Sequence, residues 1–400
     1  MPAASSSQAD PVIGHLVDLA GEPGKERPGL LAALGQVADP RRRRGVRHRL
    51  VVIMVLAVCA VLAGARSYAA IAEWAADAGE DTLARLGVAG RVPSESTIRR
   101  VLQRLDAEAF DVLAGRWAAQ RTTPQPGKRR LIAVDGKTLR GAAHAGQDGP
   151  HLLAALDHTH GAVLGQVEVG AKTNEIPLFT TLLDRIDISG AVVTADALHA
   201  QRDHARYLHG RGAHYLITVK GNQPSLFTQL KNLPWQQVPM AHESGGRGHG
   251  RDEHRTIKVT SVASGLLFPH AAQAIQIRRR RRRRGTKKWS TETSYAITSL
   301  GFVQARAIQL AAIIRGHWKI ENELHWVRDM TFDEDRSQTR TATGPRIMAS
   351  LRNLVITILR LGQAPSIATA LRYHARHPSR PLQTIMKCLG LCRGPASDPP

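Results

Sequence analysis

The sequence predicts a mixed α/β protein: an all-helical N-terminal part, a mixed-sheet core and a β-rich insertion. Three observations carry this reading. Residues 29 to about 120 place apolar side chains at helical spacing. From 131 to 219 short apolar runs alternate with helical stretches. From about 226 to 300 further strand-like runs replace the helices, before helical periodicity returns.

Residues 1–28 are polar and rich in Ser and Ala, which reads as a loosely ordered leader without the pattern of a signal peptide. Leu50 to Ala63 is the most apolar stretch. It is too short to cross a bilayer and reads as a buried helix. Ser67–Ala76 continues as an amphipathic helix. In Pro93–Leu105, Ser94 or Ser96 can cap a helix whose apolar stripe is Ile98, Val101, Leu102 and Leu105. Arg99, Arg100, Gln103 and Arg104 face the other way. That pattern suits the second helix of a helix-turn-helix reader, and equally a solvated helix face. Residues 29–121 form the helical unit.

Thr122–Arg130 is a linker by composition. Strands are expected at Leu131–Val134, Leu152–Asp157, Ala162–Val169, Ala191–Ala195 and Tyr215–Val219, with helices at Asn174–Asp187 and Ala200–Arg211. This is the first part of the core, 122–225. The insertion, 226–300, has a glycine-rich segment, Gly245–Gly250, expected as a flexible loop. Its strands are expected at Arg255–Val262, Ala274–Arg279 and Thr293–Ser299. It also holds seven consecutive arginines, Arg278–Arg284. Like charges repel, so the run needs counterions or phosphates nearby. It is either a DNA-gripping edge or an exposed, tolerated expansion of a GC-rich coding repeat. Helices return over 301–375, and 376–400 reads as a polar tail.

The formal net charge is +22 and the isoelectric point near 11.0. A balance this basic predicts a polyanionic partner, nucleic acid before an anionic membrane. Three cysteines argue against a disulfide framework and for a reducing compartment, so the cytoplasm is expected.

Three acids stand out. Asp135 ends the run Leu-Ile-Ala-Val, Asp196 ends Ala-Val-Val-Thr-Ala, and Glu321 sits in the helical pattern His317-Trp-Lys-Ile-Glu321-Asn-Glu-Leu-His-Trp. A carboxylate at the end of a buried strand is held rigidly, so two strands and a helix can bring three together. Such an oxygen-rich site suits hard cations such as Mg²⁺, with Mn²⁺ as substitute. Glu323 is a rival for the third acid. His317 and His325 lie near the face of Glu321 and are candidates for phosphate or supporting contacts. His199, His204, His209 and His214 recur every five residues, which does not place them on one helix face. Gly136-Lys137-Thr138 resembles the end of a phosphate-binding loop, but Leu131 stands where that motif needs glycine.

The segments Asp135-Gly-Lys-Thr-Leu-Arg-Gly141, Lys172-Thr-Asn-Glu-Ile176, Thr194-Ala-Asp196-Ala-Leu-His-Ala-Gln201, Tyr215-Leu-Ile-Thr-Val-Lys220-Gly-Asn-Gln and His317 to Arg336 resemble one bacterial group. It is the ISAs-type insertion-sequence transposases, including the H-repeat-associated proteins. The resemblance runs from about Gly29 to about Leu371. It implies a ribonuclease H-like core in which Asp135, Asp196 and Glu321 form a DDE triad binding Mg²⁺. It implies DNA cleavage and strand transfer without a covalent protein intermediate. The alternative is an inactive or domesticated DNA-binding descendant. Lys137, Lys172, Lys220, Arg315, His317 and Arg328 are then candidates to position backbone phosphates. Ile314 stands where the wider superfamily has a tyrosine. The N-terminal helices, with Arg99, Arg100 and Arg104, would read terminal inverted repeats. The expected partners are double-stranded DNA, both ends and target, and a second copy of the chain at the nucleoid, with no membrane.

Overall fold

The computed structural model describes residues 29–388, apart from 43–45, 89, 145, 172, 249 and 263–265. The leader and residues 389–400 lie outside the described residues.

Among the described residues six helices come first: α1 (Leu30–Gly35), α2 (Leu50–Leu62), α3 (Tyr68–Asp77), α4 (Glu80–Arg85), α5 (Glu95–Leu102) and α6 (Ala107–Arg121). Ser94 caps α5, accepting from the Thr97 N–H, and Asp106 caps α6. Helix α2 is apolar all round, and all thirteen of its residues are buried. A helix with no polar face must be enclosed on every side. Neighbours α1 and α3 cover part of it. The rest is covered from the far end of the chain by α11 (Gly344–Leu361), α12 (Ile367–Ala375) and α13 (Ser379–Cys388). N-terminal and C-terminal helices therefore share one core. The segment expected as a polar tail is, up to Cys388, a helix whose Leu382 and Ile385 are buried.

The nine strands form one sheet in the order β3-β2-β1-β4-β5-β9-β8-β7-β6. Strands β1 (Leu131–Thr138), β2 (His151–Asp157) and β3 (Val163–Val169) are an antiparallel meander. On its other side β1 pairs in parallel with β4 (Val192–Ala195), and β4 pairs in parallel with β5 (His214–Val219). Helices α7 (Glu175–Leu183) and α8 (Arg202–Gly210) make the crossovers. The central strands are buried on both faces. Val193 and Ile217 face the main core, while Val192 and Leu216 face Leu310 and Ile313 of α10 (Ala307–His317). Helix covering on both sides explains why β4 reads as an uninterrupted apolar run.

After α9 (Pro224–Lys231), β6 (His242–Gly248), β7 (Arg251–Ser261), β8 (Gln273–Arg283) and β9 (Ser290–Thr298) extend the same sheet through β9 on β5. The insertion is thus a continuation of the core sheet. The expected glycine-rich loop is instead mostly strand β6, the exposed edge, pairing with β7 from His242 to Gly248. Backbone hydrogen bonds from one partner hold it, and these need no side chains. Among the described residues no helix is long and apolar enough to cross a membrane.

Beyond α10 the chain forms a wide π-helical stretch, Ile320–His325 and Val327–Thr331, then a short turn at Glu334–Arg336. Glu334 is buried between two guanidinium groups. It accepts from Arg328 Nε at 2.8 Å and from Arg352 Nη1 of α11 at 2.8 Å. Arg352 also donates to the Arg66 carbonyl, and Asn353 donates to Gln166 of β3 at 2.8 Å. Burial pushes the Glu334 carboxyl up, but the two arginines more than reverse this and hold it below the usual range. Removing one partner leaves buried charge uncompensated. Glu334→Ala is therefore expected to cost about 3–5 kcal/mol in urea unfolding. A loss below about 1 kcal/mol would show that the network is not structural.

Candidate active site

Asp135 lies inside β1, where its neighbours diverge. Pairing with β2 continues to Thr138, whereas parallel pairing with β4 stops at Val134 and Ala195. Asp196 comes directly after, caps the turn Ala197–His199 and accepts from the Leu198 N–H at 2.9 Å. Sequence reading placed Asp135 just past its strand. The strand is longer, because β2 pairs it alone over the final residues. Adjacent parallel strands whose chain exits diverge leave a crevice at their C-terminal ends, and both acids sit there.

The third acid comes from the π-helical stretch. His325 Nδ1 lies 3.6 Å from Asp135 and 3.5 Å from Glu321. Ligand atoms of Asp135, Glu321 and His325 all fall within 4.8 Å of one another, a group able to hold a metal ion. Asp196 is not in that tight group but lines the same cleft of about 490 Å³, with His317, Lys220, Arg315 and Trp318. Glu323 turns elsewhere, its carboxylate 3.9 Å from Lys319 and close to Gly161.

The electrostatics describe a site short of positive charge at its centre. Burial and the neighbouring Glu321 charge push the Asp135 carboxyl up to about 8. Glu321 is held low, chiefly by hydrogen bonding to His325. Burial lowers His325, which favours its neutral ring, and among the described residues its Nε2 has no hydrogen-bond partner. Burial likewise brings His317 down to about 4, against the pull of Asp196 and Glu321. It bonds Thr194 Oγ1 through Nδ1 at 3.1 Å. His317 is thus a neutral hydrogen-bonding group and not the cationic contact its type suggested. The donor set fits a divalent ion: acids of conflicting charge beside a neutral imidazole. That imidazole adds nitrogen to a site expected to be all oxygen.

The other expected contacts divide. Lys220 and Arg315 are exposed and line the cleft, with Arg315 donating to Ser244 Oγ at 2.9 Å. Lys137 is nearly buried and paired with Asp329 at 2.5 Å. Arg328 is fully buried on Glu334. No phosphate can reach the Arg328 guanidinium sealed in the core, and the Lys137 ammonium is already engaged by Asp329. Lys172 lies outside the described residues. Arg99 pairs with Glu95 one turn earlier, while Arg100 and Arg104 are exposed, all remote from the acids in sequence and element. Arg255 is a basic cleft residue that the sequence did not single out, whereas Arg279 and Arg281 belong to the arginine run read as a possible DNA-gripping edge. Strand alternation places Arg279 and Arg281 on one face of β8, but which face was not readable.

Residues 126–358 match the family model described as Transposase DDE domain. The chain belongs to the DDE transposase family. Residues 31–118 of the transposase match a second model, described as DDE_Tnp_1-associated. YncI of Escherichia coli O157:H7, named for a transposase, is 30% identical over 354 residues, covering 83% of this chain and 87% of that one. YhhI of Escherichia coli strain K12, named for the H repeat and for a transposase, is 28% identical over 346 residues, covering 82% and 90%. Among solved structures, the piggyBac transposase synaptic complex with hairpin DNA aligns at 12% identity and a TM-score of 0.41. It covers 97% of this chain and 83% of that one.

A pH dependence arises from Asp135. Its ordinary value is 3.8 and its value in the fold about 8. Between these the folded chain holds a proton that the unfolded chain has lost. The stability from this proton is full below 3.8 and lost as pH rises towards 8. Asp135→Asn cannot ionise and keeps it. In chelator, this variant should melt at least about 2 °C above wild type at the alkaline end of that window, and no higher at the acid end. Equal melting at both ends would show that Asp135 is not electrostatically strained.

Proposed function

We propose that this transposase binds the ends of an insertion sequence, nicks the DNA there and joins the freed 3′ end to a target. The observation that carries this is the meeting of Asp135, Asp196 and Glu321 in one cleft rimmed by Lys220, Arg255, Arg279, Arg281 and Arg315. The mixed sheet, covered by helices on both faces, supports a ribonuclease H-like core. Sheet continuity supports reading 226–300 as a strand-built extension of that core.

Asp135, Asp196 and Glu321, with His325 beside them, would hold divalent ions, Mg²⁺ or Mn²⁺. When bound, such ions activate a water or a DNA 3′-hydroxyl and stabilise the leaving oxygen. Around them the chain places the substrate. Lys220 and Arg315, both lining the cleft, contact the DNA backbone near the scissile phosphate. The neutral ring of His317 fixes Thr194 below the acids and keeps extra positive charge out of the metal site.

The arginine run has a defined setting. Arg278–Arg283 lie in β8, between β7 and β9. Arg280 and Arg282 stack on Trp289, and Arg282 pairs with Asp252. Arg279 pairs with Glu253 and Arg281 with Glu292 on the cleft side. One face of the run thus points into the acid cleft, which favours a DNA contact over a neutral expansion. The exposed Arg100 of α5 and Arg104, just beyond its C-terminal end, read the element ends, in a protein that works as a dimer on DNA in the cytoplasm. Since the helices share a core with the C-terminus, that role is tested in the full chain.

Asp135→Asn, Asp196→Asn and Glu321→Gln should each lower nicking of an end-containing duplex by about a hundredfold or more. End binding should stay unchanged, because it rests on the basic surface. Glu323→Gln should nick normally; an inactive Glu323 variant beside an active Glu321 variant overturns the assignment.

For the arginines, each lost phosphate contact flattens the log–log salt dependence of binding by about 0.9. The double change Arg279→Ser and Arg281→Ser should flatten it by roughly 1.8. The pair Arg280→Ser and Arg282→Ser should do less. An unchanged slope in the first pair would show that DNA does not enter from the β8 side.

A further inference from the structure

Beside the acid cleft, one carboxylate joins two elements that carry acids. Glu175, in the first turn of α7, accepts from His151 Nε2 at 2.7 Å and from His199 Nε2 at 3.1 Å. His199 ends the three-residue turn that Asp196 caps. His151 sits on β2 directly opposite Thr138 of β1, and its Nδ1 accepts from Thr138 Oγ1 at 2.8 Å. The carboxylate also lies hard against the strand backbone one residue past Asp135. A Cβ at Gly136 would fall 2.1 Å from Glu175 Oε1 and 2.5 Å from His151 Nε2.

We propose that Glu175 is a positioning residue that sets the spacing between Asp135 and Asp196 by tying β1, through His151, to the Asp196 turn, through His199. This rests on the reading of those acids as metal ligands. Each histidine presents its Nε2–H to a separate carboxylate oxygen, so both oxygens of Glu175 are engaged in the bracket. Burial alone would raise its carboxyl, but the two imidazole donors bring it down to about 2, so the bracket is anionic at working pH. The His199 ring is fully buried and packs against Phe179, with centroids 4.9 Å apart, and His204 packs on the same Phe179 at 4.2 Å. His204 Nε2 in turn meets the Ile176 carbonyl at 2.9 Å. The Asp196 turn is therefore clamped to the start of α7 both by charge and by ring packing. Strand β4 spans only Val192–Ala195 and stops before Asp196, so the turn is held from outside the strand, by this clamp and by Asn222, which donates to the Ala197 carbonyl at 2.6 Å.

The test is Mn²⁺ binding to the full chain, read by quenching of tryptophan fluorescence, since Trp318 lines the cleft. Trp318→Phe identifies that signal. Glu175→Gln keeps the shape but withdraws the charge that both donors share. It should weaken Mn²⁺ about tenfold, within the range for groups that orient ligands. Nicking should require correspondingly more Mn²⁺, with the rate at saturation largely recovered and metal-free melting nearly unchanged. Should Glu175→Gln fail to fold, His151→Asn, at a partly exposed position, should weaken Mn²⁺ in the same sense by a smaller factor. If Asp135→Asn and Asp196→Asn weaken Mn²⁺ while Glu175→Gln and His151→Asn do not, the bracket is wrong and the acid reading stands. If neither aspartate variant weakens Mn²⁺, the acid reading itself fails. Loss of nicking at every Mn²⁺ concentration, with unchanged affinity, would also overturn a positioning role.

Discussion

Glu334 is enclosed by Arg328 and Arg352, and the placement of the helix that carries Glu321 depends on that contact. Residues 320–331 wind as a wide π-type helix, with fewer of the close turns that stabilise an ordinary helix. A chain of polar contacts at its C-terminal end holds this helix in place. Arg328 reaches Glu334, Glu334 reaches Arg352 in α11, and neighbouring Asn353 reaches Gln166 on β3. A buried ion pair is weak evidence for stability, since desolvation offsets most of its attraction. Its value here is directional. Apolar side chains could fill the same volume in several ways, whereas paired guanidinium and carboxylate groups accept few. The register of the helix that presents Glu321 and His325 to the sheet is set by this restriction.

The acid cluster has the opposite character. Asp135 and Glu321 crowd one another and, among the described residues, share no fixed cation. The nearest cations are turned to other work, with Lys137 on Asp329 and Arg328 on Glu334. This arrangement makes ionisation of Asp135 at the end of β1 costly, a strain the rest of the fold must offset. Mobile cations and a polyanion are complementary to it. The centre of the cleft is acidic while its rim, formed by Lys220, Arg255, Arg279, Arg281 and Arg315, is basic. A DNA backbone approaching the rim brings its own negative charge to the acids, and a divalent ion reconciles the two.

Much of this was legible in the sequence, and the reasons are local. The strands β1 to β5 show as short apolar runs because both faces are covered, and Asp135 and Asp196 interrupt those runs. Ser94 marks its helix because capping is decided within four residues. What was not legible depends on distant pairing. Gly245–Gly248 reads as a loop unless β7 is there to hold its backbone. Arg328 reads as a surface cation unless Glu334 and Arg352 enclose it. Lys137 looked free because Asp329 is far away in sequence. His325 was noticed beside Glu321, one helical turn on, but its approach to Asp135 needed the fold. Glu175 stood in a motif that supported the resemblance, yet nothing local showed that two histidines converge on it.

Helix α2 carries a consequence for synthesis. Its thirteen apolar residues leave the ribosome well before the helices that seal it, α11 to α13. At roughly 5–20 residues per second, the intervening chain takes tens of seconds to emerge. Throughout that interval a nascent chain displays a fully apolar helix that neighbouring α1 and α3 cover only in part. Holdase chaperones are the natural occupants of such a surface. A message broken before α11 would yield a product that never closes, prone to aggregation and proteolysis. Quality control at the level of folding thus favours whole copies of the protein, independently of whether the acids are intact.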